Sequence, residues 1–273
     1  MKDYALQIAR ERNQPPEKLN YLREYLQHLI LREMFDGGFL QKLIYHGGTA
    51  LRMIHDLPRF SEDIDFHLSE ASAKYSPDKL AGALAAALGR NGYQVEFKTA
   101  YSTNVKKIMV KFGAILYEAG ISPHKGSVLN IKIEIDVKPP AGFVAEKRML
   151  DRYFPFVVRH HSASCFFSGK LHAIMRRRWT KGRDFFDLNF ILNRWKNVLP
   201  DFGFLNNSLA QTGYDGRKVT EANWREIIAR RVRETNWKIL LQDVAPFVLR
   251  RGDLKVFEKE LLIAKLLERP VSG

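Results

Sequence analysis

The chain of 273 residues has one cysteine, Cys165, so it forms no internal disulfide and offers no cysteine-based zinc site. Cys165 reads as a small buried hydrophobe. Long apolar runs are missing: no window approaches the roughly 20 uninterrupted residues of a membrane span. The opening MKDYALQIARERNQPP lacks the apolar centre of a secretory leader. A cytoplasmic protein without membrane contact is expected. Neither G-x-x-x-x-G-K-[ST] nor G-x-S-x-G occurs, which excludes P-loop hydrolysis and an α/β-hydrolase elbow. His160, His161 and His172 lack the spacing of a zinc site, and Trp179, Trp195, Trp224 and Trp237 read as packing residues. Internal repeats and low-complexity tracts are also absent.

Acidic charge is in short supply. Against 44 Lys and Arg stand 30 Asp and Glu, a net charge of +14, which favours a polyanionic partner through steering and counterion release. The excess is concentrated: residues 159 to 183 hold seven cations (Arg159, Lys170, Arg176, Arg177, Arg178, Lys181 and Arg183) and no carboxylate. Such a segment is expected to face phosphate, with Arg176, Arg177, Arg178 and Lys181 as the RNA-binding candidates. Consecutive arginines spread around a helix, so the three cannot all face one groove.

Periodicity gives the organisation. Pro15 and Pro16 followed by Leu19, Leu22, Leu26, Leu29 and Ile30 predict a helix that starts on proline and ends near Gly37 and Gly38. Leu43 to Tyr45, then Gly47 and Gly48, then Thr49 to His55 read as strand, turn and helix. Residues 77 to 91 predict a helix, and Tyr93 to Thr99, Val105 to Phe112 and Leu129 to Val137 predict strands. The break Pro139-Pro140-Ala141-Gly142 precedes helical stretches around 168–179, 183–196, 221–241 and 253–268. The expected fold is α/β (α+β): a mixed sheet with flanking helices over residues 1–148 and a mainly helical lobe over 149–273.

The chemistry centres on Asp63-Ile64-Asp65. Residues two apart on a strand point the same way, so both carboxylates can meet one cation. Mg²⁺ suits such a pair, because it takes oxygen ligands and fills its remaining positions with water and phosphate. A D-x-D pair alone is common on solvated strands, and two further features add weight. In Asn130 to Val137, isoleucines 131, 133 and 135 take one face and leave Lys132, Glu134 and Asp136 on the other. Glu134 or Asp136 can then supply a third acid, unless Glu134 simply pairs with Lys132 in solvent. Upstream, Gly47-Gly48-Thr49 opens a helix whose free N–H groups form an anion site that a Thr hydroxyl can extend.

Further on, Ser168 reads as an N-cap, which places Lys170 in a first helical turn, where the helix dipole disfavours a cation unless a phosphate binds. Asp184 and Asp187 share a helix face, from which they can orient Lys170 or pair with a cation such as Arg183.

Gly47-Gly48-Thr49-Ala50-Leu51 together with Arg59-Phe60-Ser61-Glu62-Asp63-Ile64-Asp65-Phe66 resembles the signature of the AbiEii-like nucleotidyltransferase toxins, of the polymerase-beta-like superfamily, which include the MenT enzymes. Lys132-Ile133-Glu134-Ile135 is similar to the family's third-acid strand, with Glu134 the first choice and Asp136 the reserve. Lys170-Leu171-His172-Ala173 and Arg183-Asp184-Phe185-Phe186-Asp187-Leu188 resemble its later motifs. The likeness runs from about 44 to 192. It implies catalytic roles for Asp63, Asp65, Glu134, Lys170 and Asp184. Nucleotide contacts fall to Gly47, Gly48, Thr49, Arg52, Ser61, Lys170 and Asp187, and metal ligation to Asp63, Asp65, Glu134 and Asp136.

The expected function is transfer of NMP from an NTP to an RNA acceptor, with tRNA 3′ ends indicated by the resemblance alone. Mg²⁺ or Mn²⁺ is the expected cofactor, and an antitoxin the expected counterpart. Transfer to a small aminoglycoside-like molecule or to a protein is the enzymatic alternative. An RNA-binding module that keeps the fold is the non-enzymatic one.

Overall fold

The computed structural model describes residues 1–72 and 74–268. Two compact units emerge: the first comprises 1–56, 60–139 and 145–160, the second 57–59, 140–144 and 161 onward. The division thus falls after His160 rather than at 148. The reason is strand pairing: Ala145–Leu150, which spans the expected boundary, and Phe156–His161, expected within the helical lobe, are the last two strands of the sheet.

In the first unit the strands are β1 (Leu43–His46), β2 (Ile64–Leu68), β3 (Gln94–Tyr101), β4 (Val105–Gly113), β5 (Leu129–Asp136), β6 (Ala145–Leu150) and β7 (Phe156–His161). They form a mixed sheet of order β3-β4-β5-β2-β1-β7-β6. β2 runs antiparallel to β1 and parallel to β5, and β1 runs parallel to β7. The helices are α1 (Lys2–Arg10), α2 (Pro15–Asp36), α3 (Gly47–His55), α4 (Asp78–Arg90) and the short α5 (Ile115–Glu118). α2, α3 and α4 pack against β5, β2 and β3. Alternation along β5 buries Ile131, Ile133 and Ile135 and leaves Lys132, Glu134 and Asp136 half-buried, the two-residue period expected of a sheet with one apolar face. α2 departs from a simple apolar stripe, because Glu24, Gln27 and His28 are buried as well.

The second unit is helical: α6 (Ala163–Arg176), α7 (Gly182–Arg194), α8 (Phe202–Gln211), α9 (Trp224–Glu234), α10 (Trp237–Val244), α11 (Arg251–Lys255) and α12 (Lys259–Leu267). Its core includes Phe167, Leu171, Phe185, Leu188, Trp224, Ile228 and Phe257. The helix expected over 221–241 is two helices, because Asn236 caps α10 by accepting the Ile239 N–H. Cys165 is buried, as read from sequence. Trp224 packs edge-on against Phe167, whereas Trp179 is exposed under the Arg178 guanidinium and is not a packing residue.

Candidate active site

The register of three adjacent strands builds the site. His46 of β1 lies across from Asp65 of β2, and Asp65 lies across from Glu134 of β5. Partners across a ladder point to the same face, so Asp65 and Glu134 are neighbours although 69 positions separate them in sequence. Asp63 immediately precedes β2 and is 40% exposed at its side chain.

Three groups hold this carboxylate loop. Gln27, inside α2, donates from Nε2 to the carbonyls of Ser61 (3.1 Å) and Glu62 (2.9 Å). Thr49 is buried and donates its hydroxyl to the Asp63 carbonyl. Gly47 adopts φ +83°, and a Cβ there would run into the Asp65 carboxylate; only glycine meets both conditions.

α3 begins at Gly47; its N-cap residue His46 makes no side-chain cap hydrogen bond, and its first turn carries no acid. The positive end of its dipole suits an anion. The expectation that Thr49 extends this cradle is corrected, since its hydroxyl is spent on the Asp63 backbone. Arg52 is redirected as well: its Nε lies 2.7 Å from Glu24 Oε1, both side chains are buried, and its guanidinium covers the Phe60 ring. It ties α3 to α2. Glu24 also meets Arg152 at 3.3 Å. No sequence motif marks Glu24 or Gln27; only their burial within a helix shows them.

Lys132 stands between the acids, with Nζ 3.3 Å from Asp63 Oδ2 and 3.3 Å from Glu134 Oε1. Burial alone would lower its pKa, but the two carboxylates outweigh burial and raise it. Burial likewise works against ionised Glu134, yet a hydrogen bond from Lys107 (3.0 Å) and the charge of Lys132 hold its pKa below the ordinary value. Asp136 differs: burial pushes its pKa up, only partly opposed by the Lys138 N–H at 2.9 Å. It lies across from His67, one step away from Asp65.

Among the described residues no group of three or more His, Cys, Asp or Glu side chains could by itself hold a metal ion. The donor chemistry nonetheless fits a hard divalent cation: Asp63, Asp65 and ionised Glu134 offer carboxylate oxygens, and an ammonium already stands between two of them. A phosphate chain at the α3 N-terminus would meet the Asp65 carboxylate beside Gly47, and like charges that close need a cation between them.

The second unit gathers the later motifs. Asp187, fully buried, receives Arg59 through two contacts of 2.6 Å and Lys170 Nζ at 2.6 Å. Lys170 also meets Asp184 at 3.5 Å, and Arg177 meets Asp184 at 3.0 Å. The two cations outweigh burial and keep the Asp187 pKa low. Arg59 is positioned by residues 57–59, which pair with Val248 and Leu249. Lys170 is not in a first turn: Ser162 caps α6, Ser168 lies inside it bonded to the Ser164 and Asp201 carbonyls, and Lys170 is mid-helix. The dipole argument for a phosphate at Lys170 therefore lapses.

The basic segment is less free than its sequence implies. Arg176 donates to the Thr212 carbonyl, Arg177 pairs with Asp184, and Arg183 reaches Asp243 at 3.9 Å. Arg178 and Lys181 are exposed.

The family described as "Nucleotidyl transferase AbiEii toxin, Type IV TA system" matches residues 29–259. A crystal structure of a candidate nucleotidyltransferase from H. pylori is similar at 18% identity and TM-score 0.55, covering 90% of this chain and 91% of that one. JHP933 from Helicobacter pylori is similar at 20% identity and TM-score 0.51, covering 89% and 87%. At such identities the likeness shows the fold. No curated protein matches the chain.

Proposed function

Because the chain belongs to the AbiEii nucleotidyl transferase toxin family, for which an NTP is co-substrate and an antitoxin the counterpart, we propose that it transfers NMP onto RNA using Asp63, Asp65 and Glu134. The observation that carries this reading is the register placing Asp65 beside Glu134, next to the glycine-started N-terminus of α3. The acceptor hydroxyl oxygen forms a bond to the α-phosphorus, the bond from that phosphorus to the bridging oxygen breaks, and pyrophosphate leaves. Glu134, held ionised by Lys107 and Lys132, orients that hydroxyl and takes its proton as the new bond forms. The α3 N–H groups bind phosphate oxygens, and Gly47 lets the phosphates approach. Mg²⁺, held by Asp63 and Asp65 with Glu134 as third ligand, supplies Lewis-acid charge when bound. Asp136 is the weaker candidate on both register and ionisation. In the second unit Asp187, itself fixed by Arg59, holds the Lys170 ammonium in one orientation, with Asp184 as its second acid.

An RNA acceptor accords with the net charge of +14, and a tRNA 3′ end is the form proposed. The test is incubation with each labelled NTP, Mg²⁺ and total cellular RNA, protein and metabolites. Label is expected in RNA, and lost with Asp63→Asn. Label joining only protein, or only a small aminoalcohol, overturns the acceptor assignment.

A further inference from the structure

The side of the carboxylates away from Gly47 is built differently. On β3, β4 and β5 the register aligns Lys98 with Met109 and Met109 with Lys132, Lys111 with Asn130, and Lys107 with Glu134. Cross-strand partners share a face, so Lys98, Lys107, Lys111 and Lys132 occupy one sheet face, with Glu96, Glu134 and Asp136 as the acids of the same three strands on it. Lys98 and Lys107 are exposed; Lys111 lies 3.2 Å from Glu96. Where β2 and β5 begin, this face opens into a cavity of about 410 Å³ lined by Leu19, Arg23, Asp63, Leu116, Val128 and Lys132, among others. It is large enough for one nucleotide, being at the small end of the roughly 300–1,000 Å³ of ligand pockets. Apolar walls and a polar edge, on which Arg23 pairs with Glu62 at 3.7 Å and Lys132 with Asp63 at 3.3 Å, suit a nucleoside whose sugar hydroxyls meet the carboxylates.

We propose that this cavity seats the 3′-terminal nucleotide of the RNA acceptor, and that the β3–β5 lysine face carries the preceding phosphates. The inference rests on the transferase reading and adds to it the site of the acceptor. The argument is chemical order across the sheet. The α3 N-terminus takes a phosphate chain on the β1 side of Asp65, while the cavity reaches Asp63 from the β5 side, where Glu134 stands. A hydroxyl delivered from the cavity therefore arrives beside the acid proposed to orient it. The basic segment at 176–181 is displaced from this role, because Arg176 and Arg177 are engaged within the second unit.

The experiment uses the full chain and two variants remote from the carboxylates: Lys98→Ala/Lys111→Ala, and Val128→Trp, which fills the cavity from an exposed position. A fluorescent oligoribonucleotide with a free 3′-hydroxyl reports binding across a salt series. Labelled NTP with total RNA reports transfer, calorimetry reports nucleotide affinity, and circular dichroism confirms folding. The lysine variant is expected to lower the slope of log affinity against log salt by about 1.4, at about 0.7 per single-strand phosphate. Val128→Trp is expected to raise the RNA KM about tenfold or more with nucleotide affinity unchanged. Wild-type transfer to RNA with both variants behaving as wild type overturns the acceptor site alone. Loss of nucleotide affinity in Val128→Trp makes the cavity a nucleotide pocket and likewise overturns it. Wild-type protein that labels no RNA overturns the acceptor reading itself.

Discussion

The carboxylates of the sheet and the carboxylate of α7 are opposite solutions to holding charge. Asp63 and Glu134 are partly exposed and share one ammonium, Lys132, so their charge is cheap to keep and open to exchange for a ligand. Asp187 is sealed between Arg59 and Lys170 at 2.6 Å. A buried ion that close to two cations has no exchangeable partner; removing one member strands the others. The same residue type is thus proposed for chemistry in one place and for architecture in the other, and burial separates the two.

The largest effect that would sharpen this contrast is on rate. Asp63→Asn and Asp65→Asn are each expected to cut transfer on the order of a thousandfold, about 4 kcal/mol of barrier, while unfolding in urea shifts by less than about 1 kcal/mol. Retained activity in either purified variant would break the metal-site assignment. Next is Asp187→Asn, expected to cost about 3–5 kcal/mol of stability by leaving Arg59 and Lys170 buried without their acid. A midpoint equal to wild type would show the cluster to be solvated after all.

Buried histidine extends the comparison to pH. His28, inside α2, has its pKa lowered from 6.5 to about 4 by burial, opposed by the Glu24 carbonyl that its Nδ1 meets at 2.8 Å. Its folded form is neutral, so below 6.5 the unfolded chain takes up a proton that the folded chain refuses. The stabilisation is complete above 6.5 and is lost as pH falls toward 4, by up to about 3 kcal/mol. His28→Asn should flatten that part of a urea-unfolding series against pH; an unchanged slope would assign the acid sensitivity elsewhere. The smallest expected effect separates the two acids of β5. Glu134→Gln is expected to lose transfer at least a hundredfold, and Asp136→Asn to stay within about threefold, as read in single-turnover assays. The reverse order would move the third ligand to Asp136.

Much of this was legible in the chain. Alternation along Ile131, Ile133 and Ile135 placed β5 and gave Glu134 its face, because strand period is local, and Asp65 falls within β2 while Asp63 immediately precedes it. Proline at the start of α2 and Gly47 at the start of α3 are local signals as well. Non-local facts were hidden. The segment 145–161 carries no strand reading in the sequence and joins the sheet because β7 pairs with β1, a pairing no local pattern encodes. The basic run from Arg159 to Arg183 holds no acid in sequence, yet folding brings Asp184, Asp187 and Asp243 to its cations. Conversely, Lys98, Lys107, Lys111 and Lys132 are scattered along three strands and become one face only through register. Local backbone geometry sets period and turn, so the sequence alone determined most of the elements and marked Asp63, Asp65 and Glu134 as candidate acids. Which charges meet depends on contacts between distant segments and on how much water they exclude, and that only the tertiary structure decided.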